Sequence, residues 1–508
     1  MTKIYIDIEN KENFPKINKN VYGCFIEHLG YCVYGGIWVE EDSSIPNTRG
    51  IRNDVVEALR NINIPVLRWP GGCFADTYHW EDGIGPKEKR PSTVNIYWGG
   101  VIENNHFGTH EFLDLCGQLG CEPYICGNVG SGTVKEMAQW IEYLTCDVKS
   151  AMAELRRING RNEPWKIKFW GVGNENWGCG GFMNAETYAE LYFKFSTYCR
   201  NFGNNELYKI AGGPSGYSME ETVNWFEALL KRAIRYNPLS ALLGTPLLHG
   251  ISLHYYIRDV SQPAYKFKER SWFRTMKKAL DFDTIINKVI ETMDKYDPNK
   301  NIGLIIDEWG TWWDNEPGTD TRFLHMQNTM RDALVAALIL DIFNIHCDRI
   351  YMANVSETIN AIDSLILTKN EKMILTPTYH VFEMYKVHQD AILLPLKIKS
   401  EDYIRGEENL PAINGSASMD NQNKIHITLS NIDPENSNSV TIDFSGIVLK
   451  NREISARILR GENMNAYNTF DSPENVKPTK FNSQEFKIDE KQISFNMPSM
   501  AIIAIELS

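Results

Sequence analysis

The chain has 508 residues, enough for two to four ordinary domains or for one large barrel with a smaller companion. Hydrophobic residues make up 43% and charged residues 23%, the balance of a globular protein with a sizeable core, which excludes a disordered or fibrous chain. The formal net charge of −13 disfavours nucleic acid and anionic membrane surfaces as partners, because both require a basic surface.

The beginning of the chain contains no apolar run long enough for the central region of a signal peptide, so we expect a cytoplasmic protein. The longest apolar run, 333–340, ends at Asp341 and is too short to span a bilayer. The cysteines show no CxxC spacing, and a chain of this size needs no covalent staples. We therefore expect reduced thiols, most of them packed in the core.

From residue 21 to about residue 385, short apolar runs alternate with amphipathic stretches of helical period. The runs, which we predict to be strands, are 21–26, 65–69, 122–126, 168–173, 208–211, 250–255, 302–306 and 348–353. The helix candidates between them are 53–63, 134–146, 185–202, 219–234, 282–296 and 321–346. Eight strands that alternate with helices predict an α/β fold, a (β/α)8 TIM barrel.

After about residue 387 the pattern changes to short alternating segments separated by Asn, Asp, Pro, Ser and Gly turns. These segments are 424–430, 440–444, 454–459, 492–497 and 501–507. Their alternation predicts an all-β sandwich. The opening segment 3–8 also alternates, with Ile4, Ile6 and Ile8 on one face, and we expect it to add a strand to the sandwich.

The predicted domain organisation therefore has three parts. They are an N-terminal strand segment (1–19), a catalytic barrel (20–386) and a C-terminal β-sandwich (387–508). In a barrel of this type the active site lies at the carboxyl ends of the strands, so the residues that follow each apolar run are the candidates for chemistry.

Two carboxylates, Glu175 and Glu308, follow directly on fully apolar predicted strands. Such a pair suits glycoside hydrolysis, in which one carboxyl protonates the leaving oxygen and the other attacks or stabilises the anomeric carbon. We expect Glu308 to be the ionised partner, held by Arg68 and Tyr256, and its charge to keep Glu175 protonated. Asn174 is suited to hydrogen-bond the sugar 2-hydroxyl.

A lone glutamate at a strand end is more often a helix cap or a surface residue than a catalyst. Polar clusters at six strand ends of one rim favour a functional site, because crowded buried charges are costly unless function retains them. Indole rings are candidates for stacking on sugars, with core packing as the alternative for each of Trp98, Trp177, Trp309, Trp312 and Trp313. The sequence contains no complete dinucleotide fingerprint, phosphate-binding loop, HExxH or GxSxG motif, so we expect catalysis without a cofactor or metal.

The segments GCFIEHLG, VLRWPGGCFAD, WGVGNEN, SLHYY and IIDEWGTWW closely resemble family 51 of the glycoside hydrolases, the α-L-arabinofuranosidases. The resemblance implies a barrel with a jelly-roll-like sandwich, a retaining mechanism, no metal and a homo-oligomer. By position, Glu175 resembles the acid/base of that family and Glu308 the nucleophile. The pocket that grips the arabinofuranosyl ring would comprise Glu27, Arg68, Asn174 and Tyr256, with Trp98 at its entrance.

Two positions that we also assign to the substrate pocket depart from the family pattern. Cys73 stands where many members have Asn, and Glu357 stands where the family usually has Gln. A thiol is a weak hydrogen-bond partner and an ionised carboxylate only accepts, whereas Asn and Gln amides donate and accept. We therefore expect this pocket to form different hydrogen bonds with the sugar hydroxyls from those of other family members. We expect Glu357 to raise at least one pKa in a cluster with Glu27 and Glu308. The alternative is that Glu357 turns outward or caps a helix.

The predicted function is exo-acting, retaining release of terminal α-L-arabinofuranosyl residues from oligosaccharides derived from arabinoxylan or arabinan. A related retaining activity on the same scaffold is the first alternative, namely a β-xylosidase, a β-1,4-glucanase or a galactofuranosidase. A non-catalytic sugar-binding barrel is the second, although a binder needs no matched acid and nucleophile.

Overall fold

Eight short apolar runs pair into a closed and fully parallel barrel. The structure is a computed structural model that describes residues 1–9, 11–449 and 452–508. After an opening strand β1 (Thr2–Asp7), the barrel strands are β2 (Gly23–Phe25), β3 (Val66–Trp69), β4 (Glu122–Gly127), β5 (Phe169–Val172), β6 (Tyr208–Ala211), β7 (Gly250–Pro263), β8 (Gly303–Asp314) and β9 (Ile350–Val355). Each strand pairs with the next in chain order, and β9 closes the barrel against β2. The predicted eight-stranded barrel is confirmed.

Helices surround the barrel. They are α1 (Asn53–Asn61), α2 (Thr109–Leu119), α3 (Val134–Thr145), α4 (Ala151–Ile158), α5 (Ala185–Tyr198), α6 (Met219–Ser240), α7 (Glu269–Tyr296), α8 (Met330–Ile345) and α9 (Pro377–Tyr385). The helix predicted over 321–346 begins only at Met330, because Thr329 and Asp332 form a capping box there. The predictions missed α2, α4 and α9, and they placed the start of α7 thirteen residues too late.

The inside of the barrel is filled with side chains. One buried cluster there consists of Val66, Tyr124, Phe169, Ile210, Ile305 and Met352, each contributed by a different barrel strand. A packed interior of this kind is typical of eight-stranded barrels and leaves no pore. Polar residues that need solvent or a ligand are therefore confined to the strand ends.

The C-terminal part is an antiparallel sandwich, as predicted. Its strands are β10 (Ile392–Leu393), β11 (Leu396–Lys399), β12 (Ile413–Met419), β13 (Ile425–Asn431), β14 (Asn438–Ser445), β15 (Ile454–Arg460), β16 (Thr479–Lys480), β17 (Lys487–Ile488), β18 (Gln492–Met497) and β19 (Ala501–Leu507). One sheet has the order β11-β1-β14-β18-β17 and the other β10-β12-β13-β19-β15-β16. Strand β1 runs parallel to β14 and antiparallel to β11, with Ile4, Ile6 and Ile8 in the sandwich core. The exact domain boundaries at residues 20 and 387 stay a prediction.

Two-stranded hairpins lie outside the barrel and the two sandwich sheets. They pair Asn47–Thr48 with Ile51–Arg52, Thr93–Val94 with Ile102–Glu103, Ile366–Lys369 with Lys372–Leu375, and Asp402–Arg405 with Glu408–Pro411. The hairpin from 93 to 103 encloses Trp98, so it carries this ring to the strand-end side of the barrel.

Helix α8 connects the barrel to the sandwich. It is apolar on all sides and buried along Met330–Asn344, as expected of a helix enclosed between two layers. Its Asp341 accepts hydrogen bonds from the hydroxyls of Ser416 (2.6 Å) and Thr428 (3.1 Å), which belong to the sandwich. Burial raises the pKa of Asp341 to about 7. Among the described residues, no helix combines the length and the apolarity needed to cross a membrane.

Candidate active site

The predicted site residues converge on the carboxyl ends of the barrel strands. A cavity of about 170 Å³ lies there, and its walls include Glu27, Cys73, Trp98, Glu175, Tyr256, Glu308 and Glu357. Arg68 and Asn174 are both 1% exposed and contact one another beneath these residues. The volume is smaller than the roughly 300–1,000 Å³ of pockets for drug-sized ligands, so it suits a single small ring.

A wider surface groove of about 830 Å³ lies elsewhere and is lined by Arg49, Asp114 and Trp165, among others. None of the strand-end acids lines it. Size alone therefore does not identify the site, and the convergence of buried acids does.

Strand β8 supplies two consecutive acids, Asp307 and Glu308, that are both turned towards the barrel interior. The pairing of β8 with β9 shifts register between Ile306 and Trp309, which interrupts the usual alternation of side chains. Glu308 accepts hydrogen bonds from Arg68 Nη1 (2.9 Å) and from the Tyr256 hydroxyl (2.8 Å). Arg68 and Tyr256 therefore hold Glu308, as expected from the sequence.

Asp307 lies beneath Glu308 and accepts a hydrogen bond from the Tyr124 hydroxyl at 2.7 Å. Burial favours the neutral form of this acid, but Arg68 and His254 outweigh burial and hold the pKa of Asp307 well below its usual range. Burial also raises the pKa of Glu308, and the same two cations oppose that effect. Asp307 and Glu308 thus form ion pairs with the cations Arg68 and His254.

Glu175 follows β5 and has a backbone φ of +41°, a left-handed conformation that costs a non-glycine residue free energy. The surrounding loop holds it there, because the N–H groups of Gly178 and Gly180 donate to the Glu175 carbonyl at 2.7 and 3.1 Å. One residue earlier, the N–H of Asn174 donates to buried Asp76 at 2.8 Å. The acid is therefore presented by a loop that is fixed on both sides.

His254, in β7, lies between the two predicted catalytic acids. Its Nδ1 is 2.9 Å from Glu175 and 3.3 Å from Glu308, and its Nε2 is 3.1 Å from Asp307. One oxygen each of Glu175 and Glu308 and a ring nitrogen of His254 lie within 4.8 Å of one another. Burial disfavours a charged ring, but the carboxylates outweigh burial and raise the pKa of His254 to about 10. The imidazole is therefore a cation at neutral pH.

Asn174 has one end engaged and one end unused. Its Oδ1 accepts a hydrogen bond from Arg68, whereas its buried Nδ2 has no hydrogen-bond partner among the residues that the structure describes. A buried amide donor without a partner is costly, so a ligand hydroxyl at this position would be stabilising.

Glu27 is anchored beside a glycine pair. Its Oε1 accepts hydrogen bonds from the Phe74 N–H (2.7 Å) and from Trp98 Nε1 (2.9 Å). A Cβ at Gly71 or Gly72 would lie 2.8 or 2.7 Å from atoms of Glu27, so only glycine allows the backbone to approach this carboxyl. This contact explains the Pro-Gly-Gly sequence after β3. Burial, together with repulsion from Glu308, raises the pKa of Glu27 to about 7.

Glu357 follows β9 and is fully buried in the cavity wall. The alternative that it turns outward or caps a helix is therefore wrong. Burial and the neighbouring carboxylate of Glu27 raise the pKa of Glu357 well above its usual range. The raised pKa values of Glu27 and Glu357 agree with the increase expected for this cluster, and for Glu357 the direction favours the neutral acid rather than the ionised acceptor expected from the sequence.

The expectation that all cysteines are free thiols is also wrong. Cys73, after β3, forms a disulfide with Cys179, in the loop that carries Glu175. The two residues are 106 positions apart in sequence, but parallel strands bring their loops to the same rim. The Glu175 Oε2 atom lies 3.9 Å from Cys73 Sγ and 3.5 Å from Cys179 Sγ. The other cysteines are free, and most of them are buried, as expected.

Only part of the predicted tryptophan cleft forms. Trp98, Trp177 and Trp312 line the cavity. Trp309 is instead buried and stacks on Phe382, and Trp313 is buried and donates to Asp332 at 2.6 Å. Both belong to the core because they follow the register shift in β8 and turn away from the rim.

Four further residues shape the site without an assigned role in the sequence prediction, namely Asp76, Cys179, His254 and Asp307. His254 and Asp307 belong to the polar clusters at the predicted strand ends, and the two-residue spacing from His254 to Tyr256 predicts a shared face. The contacts of Asp76 and Cys179 join distant loops, and no local pattern indicates them.

Comparisons with known proteins agree with this geometry. A profile described as "Alpha-L-arabinofuranosidase C-terminal domain" matches residues 307–501, and one described as "Alpha-L-arabinofuranosidase 1 domain" matches residues 58–222. An "Intracellular exo-alpha-L-arabinofuranosidase" of Bacteroides ovatus is 48% identical over 98% of this chain and 94% of its own length. A "Probable alpha-L-arabinofuranosidase C" of Aspergillus niger is 32% identical over 86% of each chain.

Solved structures extend the similarity to the whole fold. The family GH51 arabinofuranosidase from Xanthomonas axonopodis pv. citri superposes with a TM-score of 0.94 at 40% identity, over 100% of both chains. The α-L-arabinofuranosidase from Thermotoga maritima, solved as an arabinose complex, has a TM-score of 0.82 at 29% identity, over 100% of this chain and 99% of its own.

Proposed function

Because the chain belongs to family 51 of the glycoside hydrolases, the α-L-arabinofuranosidases, we propose that it removes terminal α-L-arabinofuranosyl residues from oligosaccharides. The observation that carries this proposal is the placement of Glu175 and Glu308 around His254, with oxygens within 4.8 Å of one another. Two carboxyls this close suit the retaining mechanism, for which the typical separation is about 5–5.5 Å.

In the first step, an oxygen of ionised Glu308 forms a bond to the anomeric carbon while the bond from that carbon to the leaving oxygen breaks. The leaving oxygen takes the proton of Glu175 as it departs. Arg68, Tyr256 and His254 face Glu308, so its attacking oxygen is oriented and its ionised form is favoured before the sugar arrives.

In the second step, water attacks the anomeric carbon and loses a proton to the Glu175 carboxylate, and the ester bond to Glu308 breaks. His254 Nδ1 faces Oε1 of Glu175, which leaves Oε2 as the atom that carries the proton. The fixed loop around Glu175 allows the same carboxyl to act first as an acid and then as a base at one position.

The remaining predicted residues form the sugar pocket in this proposal. Asn174 offers its unused amide donor to the 2-hydroxyl, whose hydrogen bond strengthens as positive charge develops on the ring. Arg68 orients Asn174, and Tyr256 and Trp98 bound the cavity. We assign Cys73 to the wall rather than to a hydrogen bond, because its sulfur is already bonded to Cys179.

The small volume of the cavity supports exo action, since about 170 Å³ suits one terminal ring better than a chain that passes through. We propose fragments of arabinoxylan or arabinan as the substrates, a cytoplasmic location and a homo-oligomeric state. The Bacteroides ovatus relative that is named intracellular supports the location.

A panel of 4-nitrophenyl glycosides tests the proposal. We expect the α-L-arabinofuranoside to be hydrolysed with a kcat/KM at least about 100-fold above that of the β-D-xylopyranoside, β-D-glucopyranoside and β-D-galactofuranoside, because one buried polar group left unpaired costs that order of free energy. Preference for another glycoside would favour a related activity on this scaffold. No turnover of any glycoside, with binding of free sugar retained, would favour a non-catalytic barrel.

A further inference from the structure

Two buried glutamates, Glu27 and Glu357, come together in the wall of the cavity. They are 3% and 0% exposed, they reach the rim from the ends of β2 and β9, and their carboxyls lie within hydrogen-bonding range of one another. A hydrogen bond between two carboxyls exists only when one of them carries a proton. Their contact therefore requires that one of the two carboxyls is protonated.

The surroundings decide which of the two holds the proton. Glu27 Oε1 already accepts two N–H donors, from Phe74 and Trp98, as an ionised carboxylate does. Neither oxygen of Glu357 has a hydrogen-bond donor in a residue that the structure describes, apart from the weak thiol donor of Cys32 beside it. The donors thus favour charge on Glu27 and the proton on Glu357.

No cation relieves this pair. Among the described residues, no Lys, Arg or His side chain forms an ion pair with Glu27 or Glu357, because the two cations at the rim are engaged elsewhere. Glu308 lies near both carboxyls and repels a second negative charge. A second ionised carboxylate at this place would be buried and unpaired, which is strongly unfavourable.

We propose that Glu27 and Glu357 share one proton carried by Glu357, whose O–H donates to Glu27 while its other oxygen accepts a hydrogen bond from a sugar hydroxyl. The identity of the sugar rests on the proposed function, whereas the sharing of the proton does not. The pair is a specificity determinant of this chain, because loss of the shared proton sets two buried carboxylates against one another and displaces the oxygen that receives the hydroxyl.

Binding then depends on pH with a defined sign. Groups with raised pKa values hold their proton at low pH and lose it as pH rises, and burial raises the pKa of both Glu27 and Glu357. Burial also raises the pKa of the adjacent Cys32 thiol well above its usual range, so this group stays neutral. Sugar affinity should therefore be full at acidic and neutral pH and fall as the last proton of the pair dissociates.

Infrared difference spectroscopy tests the proton without any sugar. At pH 8, where ordinary glutamates are ionised, the wild-type protein should show the C=O stretch of one neutral carboxylic acid that is missing in Glu357→Gln. Glu316→Gln is the matched control, because Glu316 is a half-buried glutamate outside the cavity. Identical carboxylic-acid bands in the wild type and Glu357→Gln at pH 8 would overturn the proposal.

Kinetics test the binding role with 4-nitrophenyl α-L-arabinofuranoside between pH 5 and 10. The wild-type KM should rise at alkaline pH towards about tenfold per pH unit, the slope for loss of one required proton. Glu357→Gln should keep a KM within about threefold of the wild type at pH 6 and should lack the alkaline rise. A rise that persists in Glu357→Gln, or a flat wild-type KM, would refute the binding role.

The two experiments separate this proposal from the proposed function. Absence of wild-type turnover of the arabinofuranoside at any pH would refute the proposed function while the infrared band still decides the proton. If Glu357→Gln does not fold, Glu27→Gln gives the second test, because a neutral amide in place of the Glu27 carboxylate removes the partner that shares the proton. The carboxylic-acid band of the wild type at pH 8 should then shift or disappear, and a spectrum of Glu27→Gln that keeps this band unchanged would contradict the proposal.

Discussion

Two groups of buried acids share one rim of the barrel, and their charge is compensated in different ways. Asp307 and Glu308 face the cations Arg68 and His254, with contacts of 2.9 to 3.7 Å. Glu27 and Glu357 face one another, and within the described ranges neither forms an ion pair with a cation. The cations therefore favour negative charge in the first group, and the lack of an ion pair favours a proton in the second.

The difference explains how one rim carries out two tasks. A nucleophile must be ionised at neutral pH, so it needs cations beside it. A group that accepts a hydrogen bond from a sugar hydroxyl needs no charge, so a neutral acid serves. Asp341, between barrel and sandwich, forms no ion pair in the part of the chain that the structure describes and accepts hydrogen bonds from hydroxyls, and burial likewise raises its pKa to about 7. Burial without a cation thus gives the same result in a region without chemistry.

The largest expected effect is the loss of the cation-compensated nucleophile. Glu308→Ala should lower kcat by a factor on the order of 10⁶ with every leaving group, because no other carboxyl can form the glycosyl ester. The measurement is steady-state hydrolysis of aryl α-L-arabinofuranosides, with circular dichroism to confirm folding. Azide that restores product of unchanged configuration would show that the roles of Glu308 and Glu175 are reversed.

Glu175→Ala should fail in a different way. With poor leaving groups, kcat should fall by about 10² to 10⁴, the usual contribution of a general acid, whereas an aryl glycoside whose leaving group needs no proton should still form the ester intermediate. Azide should then accelerate turnover and yield an arabinofuranosyl azide. An equal loss for good and poor leaving groups, with no response to azide, would contradict the assignment of Glu175.

Stability provides a direct contrast between the two groups of acids. Arg68→Met leaves Asp307 and Glu308 buried without that partner and should lower the free energy of unfolding by about 3–5 kcal/mol at pH 7. Glu357→Gln should instead raise the free energy of unfolding at pH 8. The pKa of Glu357 is raised in the folded protein, so its contribution to stability is full below the unfolded pKa and falls as pH rises, by up to about 1.4 kcal/mol per pH unit. Glutamine does not titrate and avoids this loss. Denaturant unfolding at pH 5 and 8 measures both. Destabilisation by Glu357→Gln at pH 8 would contradict the proposed difference between the cation-paired acids and the proton-sharing pair.

The smallest effect concerns the disulfide that fixes the acid/base loop. Cys179→Ala should lower kcat by roughly threefold to tenfold and leave KM almost unchanged, because it frees the loop that positions Glu175 but removes no cavity hydrogen bond. Cys121→Ala, at a free cysteine away from the site, is the control. A titration should find two more reactive thiols in the reduced wild type than in the oxidised protein, and a kcat for Cys179→Ala equal to that of the control would argue against loop positioning.

The sequence predicts the barrel well because each barrel strand contains a short, mostly apolar run, such as 302–306, although β7 and β8 extend well beyond the predicted 250–255 and 302–306. The sequence also predicts which residues form the active-site rim, since polar residues that follow these runs lie at the carboxyl ends of the strands. The helix boundaries are harder to predict, because α8 is apolar on all sides and its start depends on a local capping box at Thr329. The periodicity of an amphipathic helix is absent there.

The finer site geometry could not be predicted because it depends on contacts between distant loops. A register shift in β8 turns Asp307 and Glu308 inward together and sends Trp309 into the core. The disulfide joins residues 106 positions apart. The protonation of Glu357 depends on Glu27, which is contributed by a strand at the other end of the chain. Local patterns in the sequence carry none of this information.

The stereochemistry of transfer to methanol tests the central claim most directly. Wild-type protein incubated with 4-nitrophenyl α-L-arabinofuranoside in aqueous methanol should form methyl α-L-arabinofuranoside, because attack by Glu308 and then by methanol inverts the anomeric carbon twice. Proton NMR of the first-formed methyl glycoside distinguishes the two anomers. A methyl β-L-arabinofuranoside, or hydrolysis to the β anomer with no transfer, would mean that the second carboxylate activates water and that Glu308 is not a nucleophile.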